Sequence, residues 1–249
     1  MSIPGKCHFD SDGWLQGPIR ITHVLSPNHG TGFGTGRGVV MHTEDGFEAG
    51  TVATFMNPAN KVSAFFSIGQ DGSCHQYVPV GKGLTAWSQA AGNDAWRGIE
   101  DEDRTNPATP LTAAQVAAFA QILEACSAFD GFPLQVTDDP VGGHGLILHS
   151  DGGQAWGGHL QCPGPVRAAQ RGQIVALAMS IRHGMPPVEQ GPFRHTAPGG
   201  KTLAELAAAR HTTPEHLADV SARAYTPADV TVMAGLPLPA GAPYYTSNP

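Results

Sequence analysis

The 249-residue chain is predicted to fold as an α/β domain, a mixed central β-sheet flanked by helices, followed by a small second domain. Three observations predict this. Short apolar runs bounded by Gly and Pro alternate with stretches of helical periodicity, the pattern of a layered α/β core. The length suits one full-sized domain plus a small one. Charge is also unevenly spread: residues 1–192 hold 10 basic and 17 acidic side chains, and residues 193–249 hold four of each. The change falls at the Pro-rich passage Met-Pro-Pro-Val-Glu-Gln-Gly-Pro-Phe at 185–193. The expected organisation is therefore a first domain at 1–184, a linker at 185–192 and a second domain at 193–249.

In chain order, Gly-Val-Val-Met-His at 38–42 follows a Gly-rich loop and reads as a buried strand. A helix over 49–56 is stopped by Asn57-Pro58. Residues 62–68 and 74–80 flank Asp71-Gly72, a hairpin signal. Thr112 or its predecessor caps a helix over 112–129, where Val116, Phe119, Ile122, Leu123 and Cys126 recur at helical spacing. Gly-Leu-Ile-Leu-His at 145–149 is another short buried strand, and 166–181 reads as a second long helix ending near Gly184.

Composition narrows the function. Hydrophobic residues are 41% of the chain and charged residues 14%, too apolar for a disordered protein and sufficient to bury a core without disulfide staples. The net charge of −7 with no basic stripe excludes a nucleic-acid partner. Every apolar stretch is interrupted well before the ~20 residues that span a bilayer, so no membrane insertion is expected. The N-terminal residues contain no apolar signal-peptide core, so the expected site of synthesis and accumulation is the cytoplasm. Cys7, Cys74, Cys126 and Cys162 form no Cys-x-x-Cys pair and read as reduced thiols.

His42 and His149 each end an apolar strand, and Cys162 follows in Gly-Gly-His-Leu-Gln-Cys-Pro-Gly at 157–164. Imidazole and thiolate suit Zn²⁺, and a catalytic zinc takes three protein ligands with the fourth position open to water. Spacing alone leaves the plainer alternative open, because a buried His is usually a satisfied core residue and a lone Cys usually fills space. His144 is a rival to His149.

Six segments occur in the order seen in the zinc-dependent N-acetylmuramoyl-L-alanine amidases, the type-2 family that includes peptidoglycan-recognition proteins. They are Gly-Val-Val-Met-His-Thr at 38–43, Val-Ser-Ala-Phe-Phe at 62–66, Gln-Asp-Gly at 70–72, Thr-Ala-Trp at 85–87, Gly-Ile-Glu at 98–100, and His149 with Cys-Pro-Gly at 162–164. The chain resembles that family over roughly residues 17–183. Residues 152–164 look most like endolysins of phages infecting actinobacteria. The resemblance implies zinc held by His42, His149 and Cys162. It makes Glu100 the carboxylate that handles the proton, although Asp101, Glu102 and Asp103 beside it also read as a solvated acidic run.

Two positions depart from the family: Leu160 stands where some members have Lys, and Ala64 where some have a catalytic Tyr. His159 is expected to stand in as a transition-state helper, or else as an alternative ligand. Trp87 and Trp156 are expected to line a substrate groove. The segment 195–244 has a strand–helix–helix–strand order resembling a LysM module, which binds glycans. The implied function is hydrolysis of the amide between N-acetylmuramic acid and L-alanine by zinc-activated water. The implied setting is a phage endolysin that reaches the peptidoglycan at lysis, or a virion-borne lysin. The alternatives are a non-catalytic peptidoglycan-binding protein and a cytoplasmic muropeptide-recycling amidase.

Overall fold

A computed structural model describes residues 5–184, together with the backbone of 195–196 and 243–244. The chain divides into two compact units, Met1–Met185 and Pro186–Pro249.

The first unit is built on a six-stranded sheet. An antiparallel pair, β1 (His8–Phe9) and β2 (Leu15–Gln16), precedes β3 (Ile21–His23). Then come β4 (His29–Thr31), β5 (Gly38–Thr43), helix α1 (Glu48–Met56), β6 (Phe66–Ile68), β7 (Cys74–Gln76), β8 (Leu84–Ala86) and β9 (Trp96–Asp101). Helix α2 (Ala113–Asp130), β10 (Gly145–Leu148), α3 (Pro165–Ala168) and α4 (Arg171–Arg182) complete it. The sheet order is β10-β5-β9-β6-β7-β3. Only the β6–β7 hairpin is antiparallel, so the sheet is mixed as expected, and β4 pairs with β8 in a separate ribbon.

The two sheet faces have different tasks. Val39, Met41, Ile99, Phe66, Ile68 and Leu146 join the large core with Val116, Phe119, Ile122 and Leu123 of α2 and Ile174 and Ala178 of α4. Each such side chain contributes about 1.5–3 kcal/mol on burial. Alternation sends Val40, Trp96 and Ile147 to the other face, where they pack with Trp156. That second face carries the polar site at the C-terminal ends of β5, β9 and β10.

Helix α2 starts where the sequence places it. Thr112 Oγ1 accepts from the Gln115 N–H and Gln115 Oε1 accepts from the Thr112 N–H, a reciprocal capping box. The hairpin turn also forms, with Gly72 at φ 78°. The helix expected over 166–181 is instead two, α3 and α4. Gln170 lies at the break, bonded through its side-chain amide to both the N–H and the carbonyl of Leu111, which pins the chain there.

Strand β9 is absent from the sequence reading because polar Arg97, Glu100 and Asp101 mask its extended pattern. The acidic run it opens is not solvated: Asp101, Glu102 and Asp103 are all buried.

In the second unit, His195–Thr196 pairs antiparallel with Pro243–Tyr244. The two helices expected between them lie outside the described residues.

Candidate active site

Strand register builds the site. His42 on β5 is opposite Glu100 on β9, which is opposite Ser67 on β6, which is opposite His75 on β7. Residues paired in this way share one face, so a single polar rung crosses four strands. Leu148 pairs with Met41, which sets His149, the next residue, beside His42. His149 is not the last strand residue but the first of a 3-10 segment, His149–Trp156.

His42, His149 and Cys162 converge, each offering a ligand atom within 4.8 Å of the others. His42 and His149 are buried. Their rings lie 4.2 Å apart between centroids. His149 Nε2 bonds the Trp156 carbonyl at 2.9 Å. A carbonyl only accepts, so Nε2 carries the hydrogen and Nδ1 is left free for an ion. His42 Nε2 is buried and has no hydrogen-bond partner. The Cys162 loop is held by Ser150 N–H donating to the Cys162 carbonyl and Cys162 N–H donating to the His159 carbonyl. The Thr43 N–H donates to Cys162 Sγ at 3.4 Å. Two imidazoles and a thiol, with an orphaned buried ring nitrogen and a free Nδ1, fit a zinc ion.

Glu100 Oε1 lies 3.6 Å from His42 Nδ1, and its side chain is 15% exposed. Burial, reinforced by Asp101, Asp103 and Glu48, pushes its carboxyl well above the usual carboxylate range. Burial and the neighbouring His149 push the His42 imidazole down, so it stays neutral, the form that ligates a metal. Burial and Glu100 push the Cys162 thiol up. A divalent cation at the trio would oppose the trend at Glu100 and Cys162, being the largest local charge.

Two polar struts fix the loops. Asp103 accepts from Thr43 Oγ1 and from the Gly46 and Thr105 N–H groups, joining the exits of β5 and β9. Arg167, fully buried behind the Cys162 loop, donates to the carbonyls of Asp101, Glu102 and Thr109 at 2.9–3.1 Å. It thereby ties the ligand loop to the strand that carries Glu100.

The other expected residues separate. His159 is exposed, and its ring stacks on His149 at 4.7 Å. Trp87 is half-buried just after β8. Trp156 is a correction: it is 4% exposed and packs edge-on to Trp96, so it supports His149 rather than lining a groove. Gly152 makes this possible, since a Cβ there would lie 1.9 Å from the indole. His144 precedes β10 and lines a cleft of about 460 Å³ with Arg37 and Asp130, at the strand end opposite His149. Leu160 is exposed and Ala64 is buried. The sequence reading missed Glu44, Glu48, Ser67, His75 and Arg167. The one usable signal was Glu44 and Glu48, which follow His42 at positions 44 and 48.

The fold and site define an α/β domain with two His and one Cys placed to hold a metal ion and an adjacent carboxyl on one sheet face. The family model described as N-acetylmuramoyl-L-alanine amidase (Amidase_2) matches residues 33–165, and the chain belongs to that family. It is accordingly a peptidoglycan amidase. N-acetylmuramoyl-L-alanine amidase A of Achromobacter lyticus is 31% identical over 137 residues, which are 49% of this chain and 76% of that relative. Among solved structures, a mutant endolysin from Bacillus subtilis is similar with a TM-score of 0.43 and 18% identity, over 58% of this chain and 90% of its own. Staphylococcus aureus hydrolase AmiA in complex with its ligand gives 0.48 and 14%, over 68% and 87%.

Proposed function

We propose that this amidase cleaves the bond between the lactyl group of N-acetylmuramic acid and the L-alanine of the stem peptide, with zinc held by His42, His149 and Cys162. The carrying observation is the convergence of these three side chains within 4.8 Å, with Glu100 beside His42. The ion, when bound, supplies Lewis acidity that polarises a carbonyl and lowers the pKa of a water. Glu100 takes a proton from the attacking water and returns it to the leaving nitrogen, so that OH is added to the acyl carbon and H to the amine. The β5–β9 register, which sets Glu100 opposite His42, places that carboxyl at the trio. His159, exposed and stacked on His149, donates a hydrogen bond to the developing oxyanion in place of the Lys replaced by Leu160. Trp87 offers an indole edge to the substrate.

The setting we infer is a phage endolysin. Residues 193–249 would act as a LysM-like wall-binding domain, joined by the 185–192 linker. The test is to incubate purified actinobacterial walls with the protein, with and without a chelator, and assay newly freed stem-peptide amino groups. Chelator-sensitive release is the expected result. No release by zinc-loaded protein would favour the binding-only alternative, and activity confined to soluble fragments would favour muropeptide recycling.

A further inference from the structure

The rung that carries His42 and Glu100 continues to Ser67 and His75, which the reaction above does not use. Glu48, the first residue of α1, reaches over both. Its Oε1 lies 2.6 Å from His75 Nδ1 and also accepts from Ser67 Oγ, which in turn bonds the Tyr77 hydroxyl at 2.8 Å. Burial works against ionisation of Glu48, but hydrogen bonds from His75, Glu44 and Ser67 outweigh it and hold the carboxyl below its usual range. An ionised carboxylate can only accept, so His75 Nδ1 carries the hydrogen. Nε2 is then the ring nitrogen left to bond a ligand. The ring stacks on Tyr77, and the His75 side chain is 21% exposed. Two strand spacings, about 10 Å, separate it from Glu100 along the floor of the same face.

We infer that His75, oriented by Glu48, is a substrate-binding residue for the glycan: its Nε2 accepts a hydrogen bond from a hydroxyl or acetamido N–H of a sugar. The inference rests on the amidase reading. Charge decides which half of the substrate lies there. Glu48, an ionised carboxylate 2.6 Å from the His75 ring, disfavours a stem peptide that bears carboxylates. A neutral saccharide rich in O–H and N–H donors instead finds acceptors. The span from Glu100 is longer than one pyranose ring, so the contact falls on the sugar next to the muramoyl residue.

The test uses full-length zinc-loaded protein and two soluble substrates with the same stem peptide, one on N-acetylmuramic acid alone and one on the N-acetylglucosaminyl disaccharide. The wild type should favour the disaccharide by about tenfold in KM, the worth of one net hydrogen bond. His75→Phe keeps a ring against Tyr77 but loses Nε2, and should bring that ratio to about one. His75→Gln, whose amide oxygen can accept, should restore part of it, and carries the test if the Phe variant fails to fold. Dissociation constants for both substrates are measured in parallel. If the wild type releases no amine, the amidase reading fails, and the ratio of dissociation constants still decides this inference. A wild-type ratio preserved in His75→Phe would overturn it. So would a variant that changes discrimination between free-acid and amidated stem peptides instead of between sugars.

Discussion

Glu100 has two features of a general base: a carboxyl oxygen 3.6 Å from the His42 imidazole, and a proton affinity raised by burial and three acidic neighbours. Replacing it with Gln preserves shape and removes the proton acceptor. Glu100→Gln should lower kcat by about 10²–10⁴-fold. Bound zinc, measured by X-ray fluorescence, should stay stoichiometric. Cys162→Ala should lose metal and activity together, because a two-His site lacks the third ligand. A Gln variant with near-normal turnover would remove Glu100 from the chemistry. At this scale residue type and spacing in the sequence pointed to His42, His149 and Cys162, whose side chains the fold brings within 4.8 Å of one another. The sequence misled where only a fold decides which way a ring points. Trp156 shares a glycine-rich loop with the ligands, yet its indole turns inward against Trp96 while its carbonyl orients His149.

The elements that hold these residues differ in how openly the sequence announces them. Helix α2 has an apolar period and a Thr-x-x-Gln start, both local, and both are met in the structure. Because its capping box satisfies two otherwise orphaned N–H groups, Thr112→Ala should cost about 1 kcal/mol in urea unfolding, with the slope unchanged. Strand β9 is the opposite case. Its acidic end becomes a strand only because β5 and β6 pair on either side and Arg167 arrives from far along the chain to bond the carbonyls of Asp101 and Glu102. No local window contains that partner. Arg167→Met removes three hydrogen bonds at once, and although the Asp101 and Glu102 carbonyls keep bonds from the Glu44 N–H and the Gln115 side chain, it should cost about 1–3 kcal/mol. Zinc retention should weaken along with it, because the same side chain braces the Cys162 loop; loss of stability with unchanged zinc affinity would count against that coupling.

For the molecule as a whole, the buried carboxyls set a pH dependence opposite to that of most acidic proteins. Burial pushes the Glu44 carboxyl up, with help from Glu48 and Glu100, and it likewise pushes up Glu100 and Asp101. The folded state therefore binds more protons than the unfolded chain once the pH exceeds the ordinary carboxyl range of about 4. The contribution of these three groups to stability falls as pH rises through that window. Glu48 acts in the other direction: its depressed pKa gives stability that is present above about 4.5 and lost as pH falls further. Asp10, Asp71 and Asp139 are lowered as well, and the depressed imidazoles of His42 and His149 add stability as pH rises through about 6.5. Above that range the raised carboxyls alone set the slope, so metal-free protein should melt at lower temperature as pH rises from about 7 to 8. Zinc bound at the trio should reverse the slope. Its ligands bind it deprotonated, so affinity grows with pH and adds stability by mass action. Calorimetric melts across that range, with chelator and with excess zinc, should therefore diverge with rising pH. Parallel curves would mean that the ion does not sit among these carboxyls and the His-His-Cys trio.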